Sequence, residues 1–373
     1  MRNALVAMML LATACAPAPA APAAAPTAAA KPTAASAAPT AAAAKPTTAA
    51  ASTGQTGAPI ALPKPEQTSL KIAITALEAS QLAVPLAVDQ GIYKKYGFTD
   101  VEASYFDGDA KGLQALVAGQ VDIDLSSTGS AIASQLTDVP VVITGMMATV
   151  LTDALISSKD VKSAADLKGK KIAVSTYGST AHGAILLSLK ELGLTDQDVT
   201  IVQVGGLGAR VAALQAGSVA AAPIDISLEK DLTQQGFNVL VRLTDKPIEF
   251  GRSGLALRKD WMQKNPNATL ALVAATLEGQ NMIWTQPDKA ADSLVKWAQL
   301  KDRTQAEQQV TFFQQTGRRD MRWSKEAFLL AQQVQSAANP TIKDADVTKA
   351  YDIQWLDKLR ALGFDQTIGL PAS

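Results

Sequence analysis

The chain is short of the side chains on which much enzyme chemistry depends. Its 373 residues include one His and one Cys, and neither sign of charge is in excess, with 34 Lys+Arg against 34 Asp+Glu. A single Cys forms no intramolecular disulfide, and one His with one Cys does not make up a zinc site of the usual kind. A Ser-His-Asp or Cys-His mechanism would have to run through His182. Balanced charge argues against the basic surface that displaces counterions from nucleic acid. Beyond residue 66 no run of 18 or more apolar residues occurs, so no transmembrane helix is expected. Together these absences point away from a metal- or histidine-based enzyme and from nucleic-acid binding. No cofactor and no metal are predicted.

What is present begins with a leader. Arg2 gives a positive start, and Leu5 to Ala12 is an apolar run too short to span a bilayer. Thr13 and Ala14 then precede Cys15, an arrangement that resembles a bacterial lipoprotein signal, in which the cysteine after the cleavage point is diacylated. The match departs from the usual pattern, because Ala12 stands where leucine is preferred and Leu11 falls one place early. An ordinary secretory leader with an incidental Cys is the alternative. Residues 16–50 hold 20 Ala, 7 Pro, 5 Thr, 2 Lys and 1 Ser, with no aromatic or branched aliphatic side chain. Such a segment buries too little apolar surface to offset its ordering entropy, and its prolines break an alanine helix. The expectation is a signal peptide over 1–14, a lipidated Cys15, and a mobile tether running to about Glu66. At about 3.1 Å per residue in polyproline-like stretches, it reaches on the order of 100 Å.

The rest reads as strands alternating with helices. Strands are predicted at 69–76, 101–106, 121–127 and 139–151. The series then restarts at 170–176, 199–204, 219–225 and 237–243, with a further strand at 253–258. Helices fill the intervals, opened by Pro85 and closed by glycines such as Gly97 and Gly193. The run VPVVITGMMATVL has no polar face, which predicts burial on both sides. A helical tail carries all five Trp. Alternation of this kind predicts an α/β fold with parallel-type sheets, and two series suggest two lobes.

In open α/β sheets, ligands gather where strand carboxyl ends feed into helix N-termini. Five loops meet that description: 77–84, 107–110, 126–129, 175–182 and 222–226. The candidates in them for binding a small solute are Glu78, Ser80, Gln81, Asp107, Ser127, Thr128, Tyr177, Ser179, Thr180 and Asp225. Each has a plainer account. The serines and threonines serve equally as helix caps, and Asp225 does too. Tyr177 stacks on a planar ligand or lies against its own lobe. His182, in the first turn of a helix, reads as solvent-facing or backbone-bonded in preference to a ligand group. Gly205-Gly206-Leu207-Gly208 lacks the full dinucleotide spacing and reads as a tight turn. None of the five loops holds Lys or Arg, which leaves Arg210 or Arg252 as the basic residues able to reach the cleft from outside them.

The segment PLAVDQGIYKKYGFTDVEASYFDGDAKGLQALVAGQVDIDL resembles the opening block of the nitrate/sulfonate/taurine-type substrate-binding proteins of ABC importers, the NMT1/THI5-like grouping that also includes binders of vitamins and of thiamine and riboflavin precursors. DLKGKKIAVSTYGSTAHGAILLSLKELGL and AALQAGSVAAAPID resemble later elements of the same family, so the likeness covers roughly residues 68–260. The resemblance implies a type II periplasmic-binding-protein fold of two α/β lobes, a central cleft, and two crossovers near 152–155 and 247–253. Lobe one would be 68–152 plus 250–365, and lobe two 153–249. It further implies an extracytoplasmic monomer that closes over a small-molecule solute and delivers it to an ABC permease. One enzyme branch of the superfamily uses pyridoxal phosphate and a cysteine-rich motif, which the Cys-free folded part does not supply. The carboxylates in the loops favour an uncharged or partly cationic organic solute over a bare anion, and with Tyr177 stacking the expectation leans to a heteroaromatic vitamin or vitamin precursor, riboflavin- or thiamine-precursor-like. An anion binder of the sulfonate, taurine or nitrate type is the alternative, and an enzyme or sensor on the same scaffold is another.

Overall fold

The computed structural model describes residues 60–371 apart from 247 and 339. The signal peptide, Cys15, the tether as far as residue 59, and Pro247 in the second crossover lie outside the described residues.

Among the described residues ten strands form two five-stranded sheets. They are β1 (Ser69–Ile74), β2 (Asp100–Tyr105), β3 (Ile123–Ser126), β4 (Val141–Val150), β5 (Asp153–Ser157), β6 (Lys171–Val174), β7 (Thr200–Gln203), β8 (Ala221–Asp225), β9 (Asn238–Arg242) and β10 (Glu249–Arg258). The first sheet has the order β2-β1-β3-β10-β4 and the second β7-β6-β8-β5-β9. Parallel pairing was expected throughout, yet each sheet is mixed. β10 runs antiparallel to both β3 and β4, and β5 runs antiparallel to both β8 and β9. The reason is the crossover. A strand that enters a sheet from the other lobe arrives without its own crossover helix, and so is free to run against its neighbours.

The side-chain period of β1 shows how the first lobe is built. Leu70, Ile72 and Ile74 enter one core together with the Pro266–Thr285 helix, while Ala73 enters a second core on the opposite face. β4 is buried along all but its last residue, as its unbroken apolar run predicts. Pro266–Thr285 is hydrophobic nearly all round and is correspondingly enclosed. Gly279 lets it approach the first helix, since a Cβ there would strike the Ala83 carbonyl. Trp261 and Trp355 are buried, and Trp284, Trp297 and Trp323 pack partly buried against the same lobe.

The final residues assigned to the tether are docked. Ile60 and Leu62 pack against the first core. Glu66 accepts hydrogen bonds from the backbone N–H groups of Asn267 (3.1 Å) and Ala268 (2.9 Å), satisfying two of the orphan donors of the long helix. Burial opposes ionisation of Glu66, but the bonds from Ala268 and Asn267 hold its carboxyl below the usual range.

Two connections join the sheets. Leu151 and Thr152 lead from β4 into β5, and the stretch after β9 leads into β10. They run side by side where Glu249 of β10 pairs with Val150 of β4, next to a bulge.

Candidate functional site

A cavity of about 70 Å³ lies between the carboxyl ends of the two sheets. About 10–15 Å³ on this measure holds one water, so the space suits roughly five waters or a compact solute. From the first sheet it is lined by the turn after β1 (Thr75, Glu78, Ser80, Gln81), by Asp109 after β2, and by Arg252 and Ser253 of β10. The second sheet contributes Asp153 at the start of β5 and the first turns of two helices, Thr180–Glu191 and Leu207–Gln215, the latter with Arg210.

At the base of the cavity Arg252 gathers three carboxylates, the buried Asp153 and Asp225 and the partly buried Glu78. Its Nη2 lies 2.6 Å from Glu78 Oε1 and 3.0 Å from Asp225 Oδ2, and its Nη1 lies 3.1 Å from Asp153 Oδ2. Nη1 also donates to the Thr152 hydroxyl, which in turn donates to Asp225 (2.7 Å). Burial works against the guanidinium, but Glu78, Asp153 and Asp225 together outweigh it and hold Arg252 protonated well above its ordinary range. Glu78 comes from the first lobe, while Asp153 and Asp225 belong to the second sheet. The cluster therefore ties the two halves at the crossover.

Arg210 is placed differently. It is 8% exposed, its Nε donates to the Pro223 carbonyl (3.0 Å), and its Nη1 reaches the Gly205 carbonyl (3.5 Å). Among the described residues no carboxylate forms an ion pair with it. Burial pulls its pKa down from the ordinary value, and Asp153 and Glu78 pull the other way. A guanidinium stays charged through such shifts, so a cation held only by backbone carbonyls faces the cavity without a carboxylate partner among the described residues.

Across from it, Gln81 locks the turn after β1. Its Oε1 accepts from the N–H groups of Thr75 (2.9 Å) and Ala76 (3.0 Å), and its Nε2 donates to Thr75 Oγ1 and to the Leu125 carbonyl (both 2.9 Å). Asp109 lies 3.2 Å from the Thr75 hydroxyl. The two sides also touch above the cavity. The Gly206 N–H donates to Asp107 Oδ1 (3.2 Å), the Thr180 hydroxyl reaches the Arg252 carbonyl (3.4 Å), and Gln335 donates to the Gly178 carbonyl. A Cβ on Gly206 would collide with the Asp107 carboxylate. The Gly205-Gly206 turn is thus needed for close approach of the lobes.

Of the residues singled out from sequence, Glu78, Ser80, Gln81 and Thr180 line the cavity. Glu78 is already held by Arg252 and by the Ser80 hydroxyl (2.6 Å). Asp225 sits at the hinge cluster and caps the turn at Ser227 (3.0 Å) without lining the cavity. Asp107 belongs to the contact between lobes. Ser127 lies against Ser130 (3.3 Å), and Thr128 points to Met146. Ser179 caps the Thr180–Glu191 helix and accepts from the His182 N–H (3.3 Å). Tyr177 stays on its own lobe, 50% exposed, with its hydroxyl donating to the Ile201 carbonyl (2.9 Å) and its ring edge-on to His182. His182 is backbone-bonded, its Nδ1 accepting from the Gly178 N–H (3.0 Å), and burial lowers its pKa. Sequence reasoning did not place Asp109, Asp153, Arg210, Arg252 or Ser253 among the candidates. Arg210 sits inside a helix and Arg252 inside a strand, where a search of loops does not look.

The model of the family described as NMT1/THI5 like matches residues 81–290. The chain belongs to that family. This NMT1/THI5-like chain is 29% identical over 239 residues to the taurine-binding periplasmic protein of Escherichia coli (strain K12), across 61% of this chain and 70% of the other. Its fold is that of the alkanesulfonate-binding protein from Xanthomonas axonopodis pv. citri bound to MOPS (TM-score 0.64, 18% identity, 77% of this chain and 99% of that one). The periplasmic nitrate-binding protein from Synechocystis PCC 6803 is similar as well (TM-score 0.66, 17% identity, 83% and 93%). The NMT1/THI5-like chain accordingly has the periplasmic-binding-protein fold of two α/β lobes.

Proposed function

We propose that the protein is the extracytoplasmic solute-binding component of an ABC importer, without catalytic activity of its own. It captures a compact organic solute with an acidic head by closure of the lobes and delivers it to a membrane permease. The observation that carries this reading is Arg210, a buried cation lining the cavity with no carboxylate paired to it among the described residues. The first turns of the Thr180–Glu191 and Leu207–Gln215 helices flank it, and their free N–H groups favour negative charge. A heteroaromatic vitamin or vitamin precursor suits the cavity less well, because no aromatic residue lines it among the described residues. The sulfonate- and taurine-binding relatives agree with an acidic head. We extend the proposal to a lipid anchor at Cys15, on the leader pattern alone, and to a monomeric protein.

Native mass spectrometry of protein purified from its own host tests the reading. A single small acid should co-purify chemically unchanged and stabilise the protein by about 2.7 kcal/mol at a hundredfold excess over its dissociation constant. Conversion of the bound compound to a product would place the protein among enzymes instead. Intact mass of the mature chain reports the anchor through the added acyl groups.

A further inference from the structure

The second lobe's turn 175–180 is held from both sides of the cleft, and the hold depends on the chain's single histidine. Resting on the solute-binding reading, we propose that His182 and Gln335 are positioning residues. They clamp the Gly178 peptide from opposite sides and so set the turn that brings Ser175 and Thr180 to the cavity, and the clamp holds only while Nδ1 of His182 carries no proton.

The turn lines the cavity with Ser175 and Thr180 and then opens the Thr180–Glu191 helix. Within the second lobe, the Tyr177 N–H donates to Gln203 Oε1 (2.9 Å) and the Gly178 N–H to His182 Nδ1 (3.0 Å). The Gly178 carbonyl is taken from the other side. Gln335 belongs to the Lys325–Ala338 helix, which packs against β10 and the Thr128–Ser134 helix of the first lobe, and its Nε2 donates to that oxygen. Gln335 is buried, and a Cβ on Gly129 of the first lobe or on Gly178 of the second would strike its amide. Gly178 also has φ +78°, a conformation that glycine adopts at no steric cost. Further along, Ala184 of the Thr180–Glu191 helix shares a core with Ala331 and Val334 of the tail helix, so the joint is packed as well as hydrogen-bonded. Gln335 therefore grips the turn only while the second lobe lies against the tail.

His182 is buried and accepts at Nδ1, which fixes the neutral ring with its proton on Nε2. A proton on Nδ1 would set two donors against each other and release the Gly178 N–H. Burial favours the neutral ring, against Asp196, the one charged group acting on it. The charges on the elements packed around this helix are engaged or distant. Asp153 and Asp225 are held by Arg252, Arg242 by Glu229 and Lys246 by Glu191, while Asp245 acts on Arg242. Lys171 stands at the opposite end of β6, and Lys325 and Glu326 open the tail helix, nearly three turns before Gln335. The closed, solute-bound form needs the neutral ring, so binding lowers the His182 pKa further. Affinity is then complete above the midpoint of the free protein, which lies below the ordinary histidine value, and is lost as pH falls through it.

Ethanesulfonate, a minimal acid-headed probe, is titrated calorimetrically into the unmodified protein and H182N between about pH 8 and about pH 5, the span over which an imidazole changes charge. Asn at this position keeps an acceptor near the place of Nδ1 and does not titrate. The unmodified protein should lose about tenfold in affinity relative to H182N towards acid, the scale of one hydrogen bond, whereas H182A should bind weakly at every pH. Q335M keeps the bulk of the side chain and removes its donor. It should weaken ethanesulfonate about tenfold through faster release, with the shape of the pH profile unchanged. Hydrogen exchange at the Gly178 amide reads the clamp without any solute, and near neutral pH it should be slow in the unmodified protein and H182N and fast in H182A. Parallel pH profiles for the unmodified protein and H182N, or Gly178 exchange indifferent to H182A, overturn the role of His182. Ethanesulfonate affinity indifferent to Q335M overturns that of Gln335. Gly178 protection that follows the variants while ethanesulfonate binds to none of these proteins overturns the acid-headed reading of the cavity, and the positioning role with it.

Discussion

The two lobes share an architecture and differ in what they turn toward the cavity. The second lobe presents two helix N-terminal turns and the uncommitted Arg210. The first presents Glu78 and Asp109, and its one arginine at the site, Arg252, is fully engaged at the hinge. The lobes are thus electrostatic opposites built on the same sheet pattern. Neither lines the cavity alone, so on the proposed reading a solute is fully contacted only when the halves meet, and affinity is a property of closure as much as of any single side chain.

The comparison can be broken most forcefully at the hinge. R252M leaves two buried carboxylates and one partly buried one without their shared cation and should cost about 3–5 kcal/mol in urea unfolding. Unchanged stability would mean that the lobes are not joined electrostatically there. Next in size, R210Q removes the positive pole, and affinity for ethanesulfonate should drop about 100-fold by calorimetry. Its effect on the urea midpoint should be smaller than that of R252M, because no acid is orphaned.

G206A sharpens the role of approach over charge. Its Cβ meets the Asp107 carboxylate across the cleft, and a strain of about 1–3 kcal/mol should fall on the closed form alone. Solution scattering with saturating probe should then show incomplete compaction, with the urea midpoint nearly unchanged.

E66Q tests a carboxylate that faces a helix end instead of the cavity. Its folded pKa lies below the unfolded one, so its stabilisation is present above the unfolded pKa and is lost as pH falls through the folded value. The deficit of the variant, about 0.5 kcal/mol at neutral pH for so exposed a group, should vanish in acid. Y177A should do least. Affinity should change by less than about twofold, because the ring rests on His182 and outside the cavity.

Much of this molecule was legible before any coordinates. Hydrophobic alternation and glycine punctuation locate the strands and the restart of the series, and the loop rule leads to the ends of the sheets that border the cavity. It does not reveal which way a side chain turns. Ser179 and Tyr177 sit in a loop of the expected composition, yet one caps a helix and the other lies on its own lobe. Arg210 and Arg252 were noted as able to reach the cleft but left out of the candidates, because a residue inside a helix or a strand lies outside a search of loops. Asp124 was read as part of a strand, and only packing against Gly112 shows a charge-bearing group where the pattern anticipates an apolar one. Antiparallel β5 and β10 were likewise beyond local pattern, since strand direction depends on the crossover and not on the residues of the strand.

The pairing of Val150 with Glu249 has a mechanical corollary. Two separate cords would let the halves swivel, shear and splay independently. A two-ply ribbon bends easily about one line and resists torsion, so opening collapses onto a single coordinate. Any pair of spectroscopic labels straddling the gap should then report the same transition, with one common rate.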